Sequence, residues 1–328
     1  MKIVFAFRAC LFLHLLAAFT ALHAADGYDP LSKPAKAEAR HHDFEVTDAS
    51  RDRKLPVRVW LPASEKAEPV LIFSHGLGGN REGAAYLASH WTARGYVVVC
   101  LQHPGSDDAV WKSAKAGERL PAMRQAASGE NLLLRAGDVP AALDQLERWN
   151  TEKGHALFGK MDFSRVGMSG HSFGAMTTQL LAGQTLVGKS FADSRVKAAV
   201  VMSPSPFQFG DPKRALAGLK MPCMLMTGTL DDSPIGNTSP EERRLVYPAL
   251  PPGDKYELVL DKARHGAFSD RALPGEGLRR NPNHHKVILA LSTAFWDAYL
   301  RGDAGAKTWL AGEAPRALMN AADVWQKK

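Results

Sequence analysis

The five residues Gly170–Gly174, with the sequence GHSFG, give the pattern Gly-x-Ser-x-Gly. A strand-like run, RVGMSG, precedes Ser172, and the helical pattern SFGAMTTQLLAG follows it. A serine on a sharp strand-to-helix turn presents its hydroxyl at the helix N-terminus, where a developing anion is favoured. Gly170 and Gly174 lack Cβ atoms where strand and helix must approach. The pattern therefore predicts Ser172 as a nucleophile, and a tight packing turn without chemistry is the alternative.

A serine hydroxyl needs a base to take its proton, and one histidine is distinguished by its position. His265 follows the strand-like run YELVLDKAR and precedes Gly266, which places it where a strand opens into a loop. We predict that His265 is this base. His284 and His285 compete with it, but they are expected at the exposed start of the last helix.

The base in turn needs a carboxylate to hold its tautomer. The run MLMTGTLDDSP supplies Asp231 and Asp232 directly after a strand. The pattern Gly-x-x-Asp at the end of a strand favours Asp231, and Asp232 is the alternative. The chain order Ser172, Asp231, His265 is one in which such triads occur.

Backbone donors for a negatively charged oxygen are predicted in two places. The segment FSHGLGG, residues 73–79, follows the third strand. When a serine nucleophile lies on such a turn, the amide of the next residue pairs with an amide from this earlier loop. This nominates the N–H groups of Leu77 and Phe173. A glycine-rich turn without a chemical role is the alternative. A phosphate-binding loop is disfavoured because this segment, HGLGGN, contains neither Gly-x-Gly-x-x-Gly nor Gly-Lys-Ser/Thr.

Two long polar connections, Pro104–Gly129 and Asp232–Lys255, exceed ordinary loop lengths. Such connections are typical of lids and binding rims. Trp111 and Met123, both in the first connection, are candidates to line a substrate pocket. Packing of these side chains onto the body of the protein is the other interpretation, and it is slightly preferred.

Composition and charge argue against several kinds of partner. The chain of 328 residues is 45% hydrophobic and has a formal net charge of +7. Its basic residues are scattered, without a basic helix or interleaved aromatic residues, so no nucleic-acid partner is predicted. The positive charge could favour anionic surfaces such as membranes. The adjacent pairs His41-His42 and His284-His285 lack the spacing of a zinc site, so neither a metal nor another cofactor is predicted.

The elements that must position these residues alternate between strand-like and helical runs. Strands alternating with helices predict an α/β fold with a mostly parallel sheet of about eight strands and helices on both faces. Asp138 reads as the N-cap of the helix VPAALDQLERW, with Pro140 in its first turn. Cys100 and Cys223 each lie within an apolar run, so we expect two buried thiols in separate strands. The strand-like runs are DFEVTD, LPVRVWLP, PVLIFSH, YVVVCLQH, FSRVGMSGHS, VKAAVVMSP, MPCMLMTGT and KYELVLDKARH.

Residues 1–25 read as an export signal. Basic residues precede the apolar run ACLFLHLLAAFTA, and small residues follow in ALHA. The apolar run is shorter than the about 20 residues of a membrane span. We predict cleavage after Ala24 or Ala25, giving a periplasmic or secreted protein, with an uncleaved anchor as the alternative. Residues 26–42 read as an extended mature N-terminus and residues 43–328 as a single domain.

Together, FSHGLGG, GHSFG, GTLDD and ARHG resemble the α/β-hydrolase superfamily over roughly residues 43–310. FSHGLGG and GHSFG look like plasma-type platelet-activating-factor acetylhydrolase, and the whole is similar to bacterial proteins of the dienelactone-hydrolase family. The resemblance implies an α/β-hydrolase fold with Ser172 as nucleophile, Asp231 as acid, His265 as base, and the N–H groups of Leu77 and Phe173 as the oxyanion hole.

Two departures from these families narrow the expected chemistry. Dienelactone hydrolases use a cysteine nucleophile where this chain has Ser172, which favours ordinary ester cleavage. The acetylhydrolase motif continues with a glycine where this chain has Ala175. We therefore expect an exported serine esterase that cleaves short-chain or acetyl esters, lipid-derived esters included, without a cofactor. A peptidase or amidase with the same triad, and a hydrolase-fold binding protein without turnover, are the alternatives.

Overall fold

The computed structural model describes residues 27–33, 40–206, 210–233, 235–270 and 281–328. Within these ranges, a nine-stranded sheet forms the centre of the molecule, and a two-stranded hairpin is separate from it. The strands are β1 (Arg40–Asp48), β2 (Arg53–Leu61), β3 (Glu68–Ser74), β4 (Val97–Leu101), β5 (Met161–His171), β6 (Thr185–Leu186), β7 (Lys189–Ser190), β8 (Val196–Met202), β9 (Cys223–Leu230), β10 (Lys255–Arg264) and β11 (Val324–Lys327). β6 and β7 form the hairpin.

Helices connect most of these strands. They are α1 (Ala85–Ala93), α2 (Ala109–Lys112), α3 (Arg119–Ala126), α4 (Gly129–Thr151), α5 (Phe173–Leu181), α6 (Pro212–Leu216), α7 (Pro240–Arg244), α8 (Val246–Ala249), α9 (Pro282–Leu300) and α10 (Ala304–Ala311). Short 3₁₀ turns occur at Ala116–Glu118, His265–Phe268 and Arg316–Leu318.

The sheet order is β1-β2-β4-β3-β5-β8-β9-β10-β11. The strands from β4 to β10 in this order are parallel, whereas β1, β2 and β11 pair antiparallel at the edges. The predicted α/β fold with a mostly parallel sheet is therefore confirmed. The described sheet has nine strands rather than about eight, because β11 has only 4 residues and no apolar alternation to mark it. Its antiparallel pairing with β10 makes it a strand, although its own sequence pattern does not predict one.

Helices pack on both faces of the sheet, as predicted. Alternate residues of β3 divide between the two layers, because successive side chains of a strand point to opposite faces. Leu71 packs in the layer of α1 and α9, where Trp91 meets Trp296 edge to face. Ile72 packs in the layer of α4 and α5. The continuous apolar runs of the sequence thus correspond to strands buried on both sides.

The two thiols of the central strands are free and buried, as expected. Cys100 lies in β4 and Cys223 in β9, so four strand spacings separate them in the sheet order. Burial raises the pKa of each thiol to about 12. Neither group is therefore a nucleophile at neutral pH.

The predicted start of α4 is wrong. The helix begins at Gly129, and the Ser128 hydroxyl caps it by accepting from the amide of Asn131 at 3.1 Å. Asp138 and Pro140 lie inside the helix instead of at its start. Asp138 is fully buried and pairs with Arg53 at 2.8 Å, so its carboxylate serves an ion pair and not a cap.

The two long polar connections contain short helices. The first contains α2 and α3, and the second contains α7 and α8. Ser239 and Glu242 form a capping box at the start of α7. These short helices carry too few apolar residues to give a periodic signal.

The described N-terminal segment is attached to the body of the protein. Residues 27–33 are described, and the first strand begins at Arg40, earlier than the predicted boundary at residue 43. The Tyr28 hydroxyl donates to Asp297 in α9 at 2.7 Å, which ties the segment to the body. The predicted export signal lies outside the described residues. In the part of the chain that is described, no helix has the length and apolarity to span a membrane.

Candidate active site

Ser172 occupies a strained turn between β5 and α5. Its φ is 58° and its ψ is −116°, and its amide donates to the Met202 carbonyl of β8 at 3.0 Å. A Cβ on Gly174 would lie 2.8 Å from the His75 carbonyl oxygen, and one on Gly170 would lie 2.8 Å from Thr178 Oγ1. Both glycines are therefore required for the close approach of strand and helix. A non-glycine residue in this conformation is typical of functional turns.

His265 and Asp231 lie in line with the Ser172 hydroxyl. His265 Nε2 is 2.8 Å from Ser172 Oγ, and His265 Nδ1 is 2.6 Å from Asp231 Oδ1. His265 opens the 3₁₀ turn after β10, and Asp231 follows β9 directly. The carboxyl ends of three parallel strands thus bring together the three residues that the sequence nominated.

Asp231, and not Asp232, contacts the histidine. Asp231 is fully buried, whereas Asp232 is exposed. Burial disfavours the charged carboxylate, but the hydrogen bonds from His265 and Thr227 and the nearby Arg243 outweigh it and lower the pKa of Asp231. Asp231 is therefore ionised at neutral pH and can hold the His265 Nδ1–H tautomer.

Arg243 is a site residue that the sequence did not reveal. It is buried, its Nε donates to the Asp231 carbonyl at 2.7 Å, and this Nε also lies 3.2 Å from Asp231 Oδ1. Its Nη1 donates to the Ser203 carbonyl at 3.0 Å. The Arg243-Arg244 pair gave no signal, because scattered basic residues in a polar stretch are typical of a solvated surface.

The amides of Leu77 and Phe173 both adjoin Ser172. A Cβ on Gly76 would lie 3.4 Å from Ser172 Cβ, so the loop after β3 lies directly against the serine. The Gly76 carbonyl accepts from His75 Nδ1 at 2.6 Å and from the Gly79 amide at 3.0 Å. Because C=O and N–H are opposed in a trans peptide, the Leu77 N–H points away from these groups. Within the described ranges, neither the Leu77 nor the Phe173 amide donates to a protein acceptor.

Trp111 and Met123 contact the loop that carries Leu77. The Trp111 indole donates to the Gly78 carbonyl at 2.8 Å. Gly78 has a φ of 70°, and a Cβ there would lie 2.8 Å from Met123 Sδ. The two side chains therefore pack the α2–α3 stretch onto the body next to the serine. Their place in a substrate pocket stays a prediction.

His171 is a second residue without a sequence signal. Its ring contacts the His265 ring at an angle of 43° with the centroids 4.6 Å apart and lies 6.0 Å from the Phe268 ring. Burial, together with the neighbouring His265, lowers the pKa of His171 well below its usual value. The neutral ring adds no positive charge beside His265 at neutral pH.

A further serine, histidine and aspartate lie in line inside the protein. Ser74 Oγ is 2.9 Å from His103 Nε2, and His103 Nδ1 is 3.0 Å from Asp138 Oδ2. We call Ser74, His103 and Asp138 the inner row, and Ser172, His265 and Asp231 the outer row. All three side chains of the inner row are completely buried. Burial and the nearby Arg135 lower the pKa of His103 to about 4, so its ring is neutral.

The competing histidines belong to a different part of the molecule. His284 is buried rather than exposed, and its Nε2 lies 3.0 Å from the Asp261 carbonyl. The His285 ring stacks on Tyr86 with centroids 4.0 Å apart. The expectation that both are exposed is thus wrong for His284, whose ring is buried against the Asp261 carbonyl. No group of metal-ligating side chains large enough to hold an ion occurs among the residues described.

One family comparison concerns the N-terminal part of the domain. Residues 47–125 match the profile of the family described as platelet-activating factor acetylhydrolase, isoform II. This segment includes β2, β3, the loop of Leu77, and the Trp111 and Met123 positions, and it ends before Ser172. No curated protein sequence matches the chain.

A structural comparison covers most of the chain. A ferulic acid esterase from Streptomyces cinnamoneus is similar over 83% of this chain and 93% of its own, with a TM-score of 0.60 and 20% sequence identity. The fold is that of the α/β-hydrolases. Together with the acetylhydrolase match, this similarity supports the expected serine carboxylic-ester hydrolase. The activity of this chain must be argued from its site, because one fold hosts many chemistries.

Proposed function

We propose that this α/β-hydrolase is an exported serine esterase that works through an acyl-enzyme on Ser172. The observation that carries the proposal is the outer row, in which a serine hydroxyl on a strained turn is 2.8 Å from an imidazole nitrogen. A buried carboxylate lies 2.6 Å from the other nitrogen of the same ring. A hydroxyl so placed loses its proton to the imidazole as it attacks.

The reaction has two halves with the same proton carrier. Ser172 Oγ attacks the ester carbonyl carbon while His265 Nε2 takes the hydroxyl proton. The amides of Leu77 and Phe173 bind the oxyanion that forms. The bond to the alkoxy oxygen then breaks, and His265 gives the proton to this oxygen, so that the alcohol leaves. Water attacks the acyl carbon, His265 again carries the proton, and the acid and free Ser172 are released.

The substrates that we propose are short-chain or acetyl esters, including lipid-derived esters. The acetylhydrolase-like segment supports this choice because it contains the loop that would bind the oxyanion. The apolar side chains of Trp111 and Met123 pack against this loop and suit an apolar substrate better than a charged one. Export is proposed from the signal-like residues 1–25.

A fluorophosphonate probe tests the nucleophile directly, because it reacts only with an activated serine. We expect covalent labelling of the purified protein and its loss in Ser172→Ala. We also expect turnover of p-nitrophenyl esters that declines with acyl length and falls by about 10³-fold or more in Ser172→Ala. Circular dichroism of the variant checks that it is folded.

Three outcomes would contradict the proposal, and each concerns a different part of it: the enzymatic activity, the nucleophile or the substrate class. Absence of both labelling and ester turnover in the wild type would exclude the enzyme. Full activity in Ser172→Ala would place the nucleophile elsewhere. Turnover of anilides faster than esters of the same acyl group would favour the peptidase or amidase alternative.

A further inference from the structure

Arg135 is a completely buried cation in the first half of α4. Burial lowers the pKa of its guanidinium to about 9, so it remains charged at neutral pH. In the described part of the chain, its nitrogens lie within hydrogen-bond distance of hydroxyl and carbonyl oxygens and, at 3.2 Å, of His75 Nδ1, but not of a carboxylate. A buried charge without a paired carboxylate is unfavourable for stability. The groups that this charge contacts therefore indicate its role.

The guanidinium contacts both segments that supply the oxyanion-binding amides. Its Nη1 donates to the His75 carbonyl at 2.7 Å, two residues before Leu77. Its Cζ lies 4.6 Å from the centre of the Phe173 ring, in a cation–π contact. Its Nε donates to Ser106 Oγ at 2.8 Å, which fixes the plane of the guanidinium.

His75 completes the support of the same loop. Burial and the Arg135 charge hold the pKa of His75 well below its usual value, so the ring is neutral. Its Nε2 accepts from the His103 amide at 3.1 Å, which leaves Nδ1 as the donor to the Gly76 carbonyl at 2.6 Å. Arg135 thus holds the carbonyl of His75, and the His75 ring holds the next carbonyl. Together they set the direction of the Leu77 N–H.

We propose that Arg135 is a positioning residue for the oxyanion hole of this enzyme. It holds the His75–Leu77 backbone and the Phe173 ring in fixed relation to each other and places a positive charge behind both amides. Such a charge favours a negative oxygen more than a neutral carbonyl, so its effect appears in the transition state. The inference rests on the proposed esterase function, because it concerns the oxyanion of that reaction.

The decisive variants are Arg135→Met and Arg135→Lys, compared with Arg301→Met. Arg301 is a matched control, because its guanidinium also lies over an aromatic ring, Tyr96 at 4.5 Å, and donates to a carbonyl, that of Gly95 at 2.8 Å. Gly95 lies just before the amino end of β4, whereas Ser172 follows the carboxyl end of β5. This contact is therefore at the opposite end of the parallel strands from Ser172. Arg301→Met therefore reports destabilisation without a change at the oxyanion hole.

We expect kcat for p-nitrophenyl acetate to fall by about 100-fold in Arg135→Met, with KM changed by less than about threefold. The inhibition constant of a trifluoromethyl ketone, which forms an oxyanion adduct on the serine, should rise by a similar factor. Arg135→Lys should lose only about tenfold, because it keeps the charge and one hydrogen bond. Arg301→Met should lower the melting temperature and leave kcat and ketone inhibition unchanged.

Failure of this inference is separable from failure of the proposed function. An active wild type and an inactive Ser172→Ala, combined with a folded Arg135→Met of normal kcat, would overturn the positioning role alone. A fall of activity that only follows the folded fraction, with unchanged ketone affinity, would also overturn it. If Arg135→Met does not fold, Arg135→Lys decides by the same two measurements.

Discussion

The outer and inner rows place the same three residue types in nearly the same geometry. In the outer row the distances are 2.8 Å from serine to histidine and 2.6 Å from histidine to aspartate, and in the inner row they are 2.9 Å and 3.0 Å. Each aspartate also pairs with an arginine, Arg243 in the outer row and Arg53 in the inner row. The alignment of hydroxyl, imidazole and carboxylate therefore does not distinguish the outer row from the inner row.

The surroundings of the two serines do separate them. Ser172 lies on a turn with a positive φ, is half-buried, and adjoins two amides that have no acceptor among the described residues. Ser74 ends a central strand and is completely buried. The inner-row histidine lies in a site where burial and a nearby cation oppose protonation. A reactive row therefore needs a hydroxyl that is not fully buried, a base that can accept a proton, and donors for the negative charge that develops on the oxygen.

Exchanging each aspartate for asparagine gives the largest expected contrast. Asp231→Asn should lower kcat by about 10⁴-fold, because the histidine then adopts the wrong tautomer. Asp138→Asn should keep activity within about tenfold while the protein is folded and should lower the free energy of unfolding by about 3 kcal/mol, because it breaks a buried ion pair. Ester hydrolysis and urea unfolding measure the two effects.

The exposed neighbour Asp232 provides the control for this pair. Asp232→Asn should resemble the wild type in both measurements, since it contacts neither histidine. Equal losses of activity in Asp231→Asn and Asp138→Asn would remove the distinction between the rows.

The pH dependence of stability distinguishes the inner row by a second measurement. The pKa of His103 is about 4 in the folded protein, below its ordinary value of 6.5. Between these values the unfolded chain binds the proton more readily, so the free energy of unfolding decreases as pH falls through this window. His103→Asn should reduce the slope by up to about 1.4 kcal/mol per pH unit.

Urea unfolding at about pH 7 and about pH 5 measures this slope. The asparagine amide can still donate to Asp138, so the variant removes the titration more than the contact. His90, whose pKa burial also lowers to about 4, keeps its own contribution and serves as the internal control. A slope in His103→Asn equal to that of the wild type would show that His103 is not protonated on unfolding in this window.

The smallest expected effects on stability come from the two serines. Ser74→Ala should leave kcat within about threefold and lower the free energy of unfolding by about 1 kcal/mol through a lost buried hydrogen bond. Ser172→Ala should abolish turnover and barely change stability. A hundredfold loss of activity in Ser74→Ala would mean that the inner row takes part in the chemistry.

Much of the outer row could be predicted because each member has a local signal. Ser172 lies in Gly-x-Ser-x-Gly between a strand-like and a helical run, and His265 and Asp231 each follow an apolar strand. The order of strands and helices then indicates which strand ends meet. The fold class followed from the same alternation.

The supporting residues could not be predicted, because their signal is only tertiary. Arg135 and Arg243 resemble the surface arginines of polar helices, and nothing local shows that both are buried. Asp138 was wrongly predicted as a helix N-cap, because aspartate is common both at N-caps and in buried ion pairs such as the one with Arg53. The strand β11 is defined by its pairing with β10 and not by its own pattern.

At position 172, which has a positive φ, the residue that best suits folding differs from the residue that the proposed turnover needs. Glycine would adopt this backbone conformation without the steric cost that a serine side chain brings. Selection for a stable molecule alone would therefore favour glycine at position 172, whereas selection for turnover requires the hydroxyl. With the proposed function, the protein keeps a less stable turn because the reaction requires the Ser172 hydroxyl, as in enzymes whose active sites lower the stability of the fold.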